Sequence, residues 1–237
     1  MPDKNRRLFL QQSGLGLAAV SVAGWVLRTD ARPTPASVLE DGAERVLIQM
    51  GAASKENIMA TGELKKITPV SIGPAYKPGA PFRGKLCSPF EPGTPFVMTG
   101  RVWSFDSKRP LPGVVLDFWH VDNQGVYSNG NGDFKNRGRL LSSENGYYEF
   151  ESIRPVPYQP NPSDAKFWRC AHFHLMAVCP GYKPLITEIH FKDDPKQKMD
   201  SMYRTELAVA PDKRVVNGKT IETAVFDIVL ERDGSAS

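Results

Sequence analysis

From Ile72 onward the chain is a succession of short apolar runs separated by turn-forming residues. Pro95–Phe105, Gly113–His120, Gly146–Ile153, Ala171–Val178, Leu185–Phe191 and Thr223–Leu230 are rich in β-branched and aromatic residues, and each is expected to form a strand. Between them stand Pro110-Leu111-Pro112-Gly113, Asn129-Gly130-Asn131-Gly132, Glu144-Asn145-Gly146 and Pro180-Gly181, whose backbone preferences suit tight turns. Short strands at this spacing predict an all-β fold, a β-sandwich core with long loops. Upstream the period changes. Val38, Leu39, Val46, Leu47 and Met50 recur near helical spacing but are broken by Gly42 and Gly51, so a short, partly helical N-terminal extension is expected.

The first thirty residues are a different material. Arg6 and Arg7 precede an apolar, Gly/Ala-rich stretch from Gly14 to Leu27, shorter than the ~20 residues a membrane-spanning helix needs. Charged head, modest apolar segment and polar Arg28-Thr29-Asp30 read as an export signal, and Arg6-Arg7-Leu8-Phe9-Leu10 resembles a twin-arginine leader. The expected layout is a signal or anchor over 1–31, a linker and extension over 32–72, and the sandwich over 73–237. The product is expected outside the cytoplasm, or tethered to the membrane if the leader is kept. No other membrane insertion is expected.

A length of 237 residues is enough to bury a sizeable core. The formal charge of +4 is mild and the basic residues are scattered, which argues against a nucleic-acid partner. Three cysteines, Cys87, Cys170 and Cys179, are too few for a disulfide framework.

Candidate chemistry centres on Arg169-Cys170-Ala171-His172-Phe173-His174. Alternate residues of a strand share a face, which sets His172 and His174 about 6.6 Å apart at Cα, close enough to converge on one metal ion. The chain has four histidines, His120, His172, His174 and His190, and two in register is an informative coincidence. Tyr127 and Tyr158 sit in loops after strands, one behind Gly125 and one behind Pro155-Val156-Pro157. Two phenolates and two imidazoles make a hard, anionic donor set suited to Fe(III) rather than Zn(II). Taken singly, either tyrosine reads as packing, the histidine pair as a polar strand face, and Arg169 as one half of an ion pair. His120 and His190 read as core or surface residues, and Cys170 as a small buried one. Trp119, Pro78 to Phe82 and Trp168 are candidates for the pocket wall.

The segments Leu116-Asp-Phe-Trp-His-Val-Asp-Asn-Gln-Gly-Val-Tyr127, Gly146-Tyr-Tyr-Glu-Phe150 and Arg169-Cys-Ala-His-Phe-His174 resemble the intradiol ring-cleavage dioxygenases. Pro78-Gly-Ala-Pro81 and Phe226-Asp-Ile-Val-Leu230 match the same pattern, so the resemblance runs from about Gly73 to Leu230. It implies a β-sandwich holding one Fe(III) per chain on Tyr127, Tyr158, His172 and His174. O2 and a catechol-type substrate would be the reactants, and cleavage between the two hydroxyl-bearing carbons would give a cis,cis-muconate-type diacid. Tyr158 would be the axial ligand that leaves as the catechol binds, and Arg169 would stabilise negative charge on the substrate. Cys170 and Val156-Pro157 depart from the family's usual residues, and neither is expected to break ligation. Glu188 departs more consequentially, because relatives commonly carry Gln there, and a carboxylate is expected either to pair with Arg169 and weaken its pull on the substrate or to alter the optimum pH. The short 32–72 segment brings the chain closer in size to protocatechuate-type subunits or compact exported relatives than to branches with a long helical dimerisation region. An oligomer is compatible with the chain. Two other functions are compatible with the residues: a non-catalytic aromatic-binding or interaction protein on the same sandwich, and a Zn or Mn hydrolase using the histidine pair alone.

Overall fold

The computed structural model describes residue 60, residues 62–216 and residues 218–234. The leader, and most of the extension expected to be partly helical, lie outside these residues; within the extension, residues 62–72 are irregular. That segment is nonetheless packed. Ile67 lies against the core, and Val70 N–H donates to Ile186 O at 2.8 Å.

Ten strands form two sheets among the described residues. In the first, β1 (Pro95–Ser104) pairs antiparallel with β4 (Tyr147–Ile153). The opposite edge of β1 is taken in turn by β9 (Lys219–Val225) and β10 (Ile228–Leu230), both parallel, with β8 (Asp212–Val216) outside β9. In the second the order is β3 (Arg137–Leu141), β2 (Val115–Trp119), β5 (His172–Val178), β6 (Leu185–Phe191) and β7 (Ala208–Val209).

Five of the six strands expected from the sequence form, their ends displaced by no more than two residues. The sixth, Thr223–Leu230, is split between β9 and β10, and side chains explain the break. Phe226 O accepts from Tyr148 Oη at 2.5 Å, and Asp227 Oδ1 accepts from Arg101 N–H at 2.9 Å, where a continuous strand would use its own backbone. Gly100 lets this corner approach, since a Cβ there would lie 2.1 Å from Phe226 O. β3, β7 and β8 are additions to the expected set. β3 reads Arg-Gly-Arg-Leu-Leu, β8 is an exposed, basic edge and β7 has two residues, so none carries a strand's usual composition.

The inner faces meet in one core, with Phe96, Met98, Phe150, Phe118, Phe173, Leu175 and Ile189 all at 1% exposure or less. Edge and tilted ring contacts such as Phe118–Phe150 at 4.4 Å and Phe96–Phe173 at 5.4 Å lock the two layers. Because side chains alternate along a strand, the same strands send a second set outward. Cross-strand register aligns Arg137, Trp119, His174 and Glu188 across four neighbouring strands, and sets His172 beside His190.

Asp117, on this outer face of β2, is 3% exposed and accepts a hydrogen bond from Tyr76 Oη at 3.3 Å. Burial raises its carboxyl from 3.8 to about 6, against the opposing pull of Tyr76, Arg139 and Arg137. Between about pH 4 and pH 6 the folded chain thus keeps a proton that the unfolded chain releases. Stability should fall as pH rises through that window, by about 3 kcal/mol in all. Asp117→Asn should remove this slope and stabilise the fold above pH 6. Denaturant midpoints of both proteins at the two ends of the window would show it, and parallel pH profiles would refute it.

Candidate active site

The outward row on the second sheet forms the floor of the site, and two loops supply its lid. The first loop is tied by Asp122, whose Oδ1 accepts from Gln124 N–H at 2.9 Å and Val126 N–H at 3.0 Å. Buried Arg137 then holds the far side of Tyr127, donating to Ser128 O at 3.0 Å and to Ala75 O at 2.8 Å. In the second, Tyr158 and Arg169 form a two-bond antiparallel bridge at 3.0 and 2.9 Å, which clips the tyrosine to the chain entering β5. Gly125, at φ +78°, packs under Tyr158, and a Cβ there would fall 2.6 Å from that residue's own Cβ.

The four oxygen and nitrogen donors expected from the sequence converge. Tyr127 Oη lies 2.8 Å from His174 Nε2, 3.5 Å from His172 Nε2 and 3.3 Å from Tyr158 Oη, and the two Nε2 atoms are 3.2 Å apart. Donors each about 2.1 Å from one ion and at right angles about it would be about 3 Å apart, so the cluster has the span of a metal's coordination sphere. The imidazoles are held ready. His172 Nδ1 is 2.6 Å from Cys170 O, which assigns the proton to Nδ1 and leaves the Nε2 lone pair facing the tyrosines. The His174 ring stacks on Trp119 with centroids 4.8 Å apart and planes 6° from parallel.

Burial lowers His172 to about 3 and His174 well below its ordinary value, so both imidazoles are neutral at physiological pH and free to act as ligands. Burial also raises both phenols. Tyr158 adds to the effect on Tyr127, while Tyr127 and Arg169 oppose it at Tyr158. A cation binding here would have to displace phenolic protons, which would tie its loading to pH.

His172, His174 and Glu188 also form a metal-sized group, with one atom from each inside 4.8 Å. Glu188 stands at the margin of the donor cluster. Its Oε1 is 3.9 Å from His172 Nε2 and 3.6 Å from His174 Nδ1, while its Oε2 accepts from Arg169 Nη2 at 2.5 Å. Arg169 Nε donates to Asp200 Oδ2 at 3.1 Å as well. Burial alone would lower the guanidinium's pKa, but Glu188 and Asp200 outweigh it and keep Arg169 charged. The pairing expected for Glu188 is thus present in the fold.

Beside the donors opens a cavity of about 580 Å³, with Tyr127, Tyr158, Arg169, His174 and Glu188 on its floor. Its walls differ from those expected. Gly73, Pro74, Ala75, Val126 and Pro160 line it, whereas Pro78 to Phe82 and Trp168 do not. Phe82 is exposed beneath Arg139, and Trp168 is covered by Lys196. Trp119 acts under His174 rather than as a wall.

The family model described as Dioxygenase matches residues 72–232. The chain belongs to the intradiol ring-cleavage dioxygenases. It is 35% identical over 183 residues to a chlorocatechol 1,2-dioxygenase of Rhodococcus opacus, a match covering 68% of this chain and 71% of that one. It is 31% identical to a catechol 1,2-dioxygenase of Acinetobacter lwoffii over 62% of this chain and 59% of the relative. Among solved structures, the dioxygenase domain of a dioxygenase carbohydrate-binding protein fusion from Streptomyces sp. SirexAA-E aligns with a TM-score of 0.60 at 28% identity. That alignment covers 71% of this chain and all (100%) of the domain.

Residues that position this dioxygenase's site without ligand chemistry escaped the sequence reading. Asp200 accepts from Cys170 N–H at 2.8 Å and Asp194 from Ala171 N–H at 2.7 Å, fixing the approach to His172. Neither is near the site in sequence, and an Asp beside Pro or Ser signals only a turn. His120 and His190, expected in the core or at the surface, are both buried and bonded to Ser152 and Cys170, His190 on the outward face beside His172. All three cysteines are free, with Cys170 fully buried.

Proposed function

We propose that this chain is a non-haem Fe(III) dioxygenase that inserts both atoms of O2 into a catechol-type aromatic, opening the ring between its hydroxyl-bearing carbons to a cis,cis-muconate-type diacid. The observation that carries the reading is the convergence of Tyr127, Tyr158, His172 and His174 on one metal-sized point at the floor of a cavity that also exposes Arg169. Ferric ion on these four residues would supply a Lewis acid able to bind both catechol oxygens and prepare the ring for O2.

The residues divide the remaining work. Tyr127 is wedged against both imidazoles and would remain a donor throughout. Tyr158 Oη reaches the cluster through Tyr127 Oη rather than through an imidazole, so it would be the group to give way and accept a proton from the incoming catechol. Protonating it as the catechol oxygen arrives keeps the buried charge balanced and avoids a penalty of several kcal/mol per unpaired ion. Arg169 faces the cavity and stabilises negative charge on the substrate, offset in part by its two carboxylates.

Tyr158→Phe should therefore keep its iron, lose part of its phenolate-to-iron visible absorption and bind catechol about 10²-fold more slowly, the lower end of what a proton acceptor supplies. Metal analysis with stopped-flow absorbance measures all three. An unchanged spectrum and binding rate would remove Tyr158 from the site.

Export through the Arg6-Arg7 leader is part of the same proposal, resting on the charged head before Gly14–Leu27. Among the described residues no helix is long and apolar enough to cross a membrane. Replacing both arginines with lysine should trap the protein in the cytoplasm, as fractionation would show; unchanged export would refute that route.

A further inference from the structure

We propose that Glu188 makes this pocket select uncharged catechols bearing a bulky substituent and reject aromatic acids; the proposal rests on the dioxygenase reading above. Space comes first. A cavity of about 580 Å³ falls within the range of ~300–1,000 Å³ found for pockets that take drug-sized ligands, leaving room beyond a single ring. The walls away from the donors are mostly apolar, from Pro74, Ala75, Val126, Pro160 and Met202.

Charge then decides what the substituent can be. Arg169 is the one cationic side chain among the described residues that line the cavity, and it is already engaged by Glu188 and Asp200. Two carboxylates against one guanidinium leave this group with an excess negative charge. Arg137, on the next strands, is committed to the carbonyls of Ala75 and Ser128. A carboxylate on the substrate ring would find no free cation on the cavity lining, to which Glu188, 1% exposed, adds a like charge. Like charges in so dry a place repel far more strongly than in water. Gln at this position could still accept from Arg169 through its amide oxygen, without the negative charge. Selectivity against anions is thus specific to the acidic residue.

The test uses iron-replete full-length protein with catechol, 4-tert-butylcatechol and protocatechuate. Oxygen uptake gives kcat/KM, and the shift of the visible band without oxygen gives binding constants. Both neutral compounds should be good substrates, and protocatechuate should be at least about tenfold poorer in both measurements. Glu188→Gln should shrink that gap about tenfold, whereas Glu188→Asp should keep it. Equal binding and turnover of protocatechuate by the unaltered protein would overturn the proposal, as would a gap untouched by Glu188→Gln. Turnover of catechol with rejection of the tert-butyl compound would overturn the part resting on space. Failure to bind or cleave any catechol would sink the dioxygenase reading itself, and this inference with it.

Discussion

His174→Ala is expected to yield a folded protein without stoichiometric iron, without the visible band and without oxygen uptake on any catechol. The ring contributes Nε2 to the centre of the donor cluster, 2.8 Å from Tyr127 Oη and 3.2 Å from His172 Nε2. Even groups that merely orient metal ligands cost about 10–100-fold in affinity when removed, so deleting a ligand should exceed that. The fold should survive because His174 points away from the sandwich core, whose neighbouring contributions on β5 are Phe173 and Leu175. Metal analysis and circular dichroism on one sample separate the two outcomes. A folded, fully loaded His174→Ala protein would remove this residue from the ligand set and favour another centre.

The second large effect belongs to Arg169. Its guanidinium is 2.5 Å from Glu188 and 3.1 Å from Asp200, all three nearly buried. Arg169→Met leaves Glu188 without its hydrogen-bonding partner, while Asp200 keeps Cys170 N–H and Met202 N–H. Breaking a buried ion pair from one side typically costs about 3–5 kcal/mol, and losing a donor aimed at developing charge costs about 10²–10³-fold in rate. The double change Arg169→Met with Glu188→Gln should recover much of the stability and none of the rate. Denaturant midpoints and kcat/KM for the three proteins make the comparison. If the double variant regained both, Arg169 would be a structural ion-pair residue alone.

Much of this site can be read in one dimension because its chemistry is carried by residue types at short spacing. His172 and His174 share a face by the alternation of any strand, and Gly125 and Pro157 mark the loops that present Tyr127 and Tyr158. The pairing of Glu188 with Arg169 was expected from the resemblance, which sets position 188 next to the site where relatives commonly carry Gln. What bears on those residues from a distance was not legible. Arg137 lies in a run too polar to suggest a strand, yet it anchors both Tyr127's loop and Ala75. Asp194 and Asp200 support the backbone before β5 from more than twenty residues away. Pro78 to Phe82 and Trp168 look like pocket walls in sequence, but the chain folds them elsewhere.

The sequence by itself determined the all-β character, five of the six strands it marked and the family, and it nominated the residues of the proposed donor set. Each of these depends on local alternation, turn chemistry or the identity of a ligating atom. The tertiary structure alone decided the row Arg137–Trp119–His174–Glu188, the break between β9 and β10, and the apolar walls of Pro74, Ala75 and Pro160. Cross-strand register and loop placement are settled by which distant surfaces exclude water together, and no short window of residues contains that information.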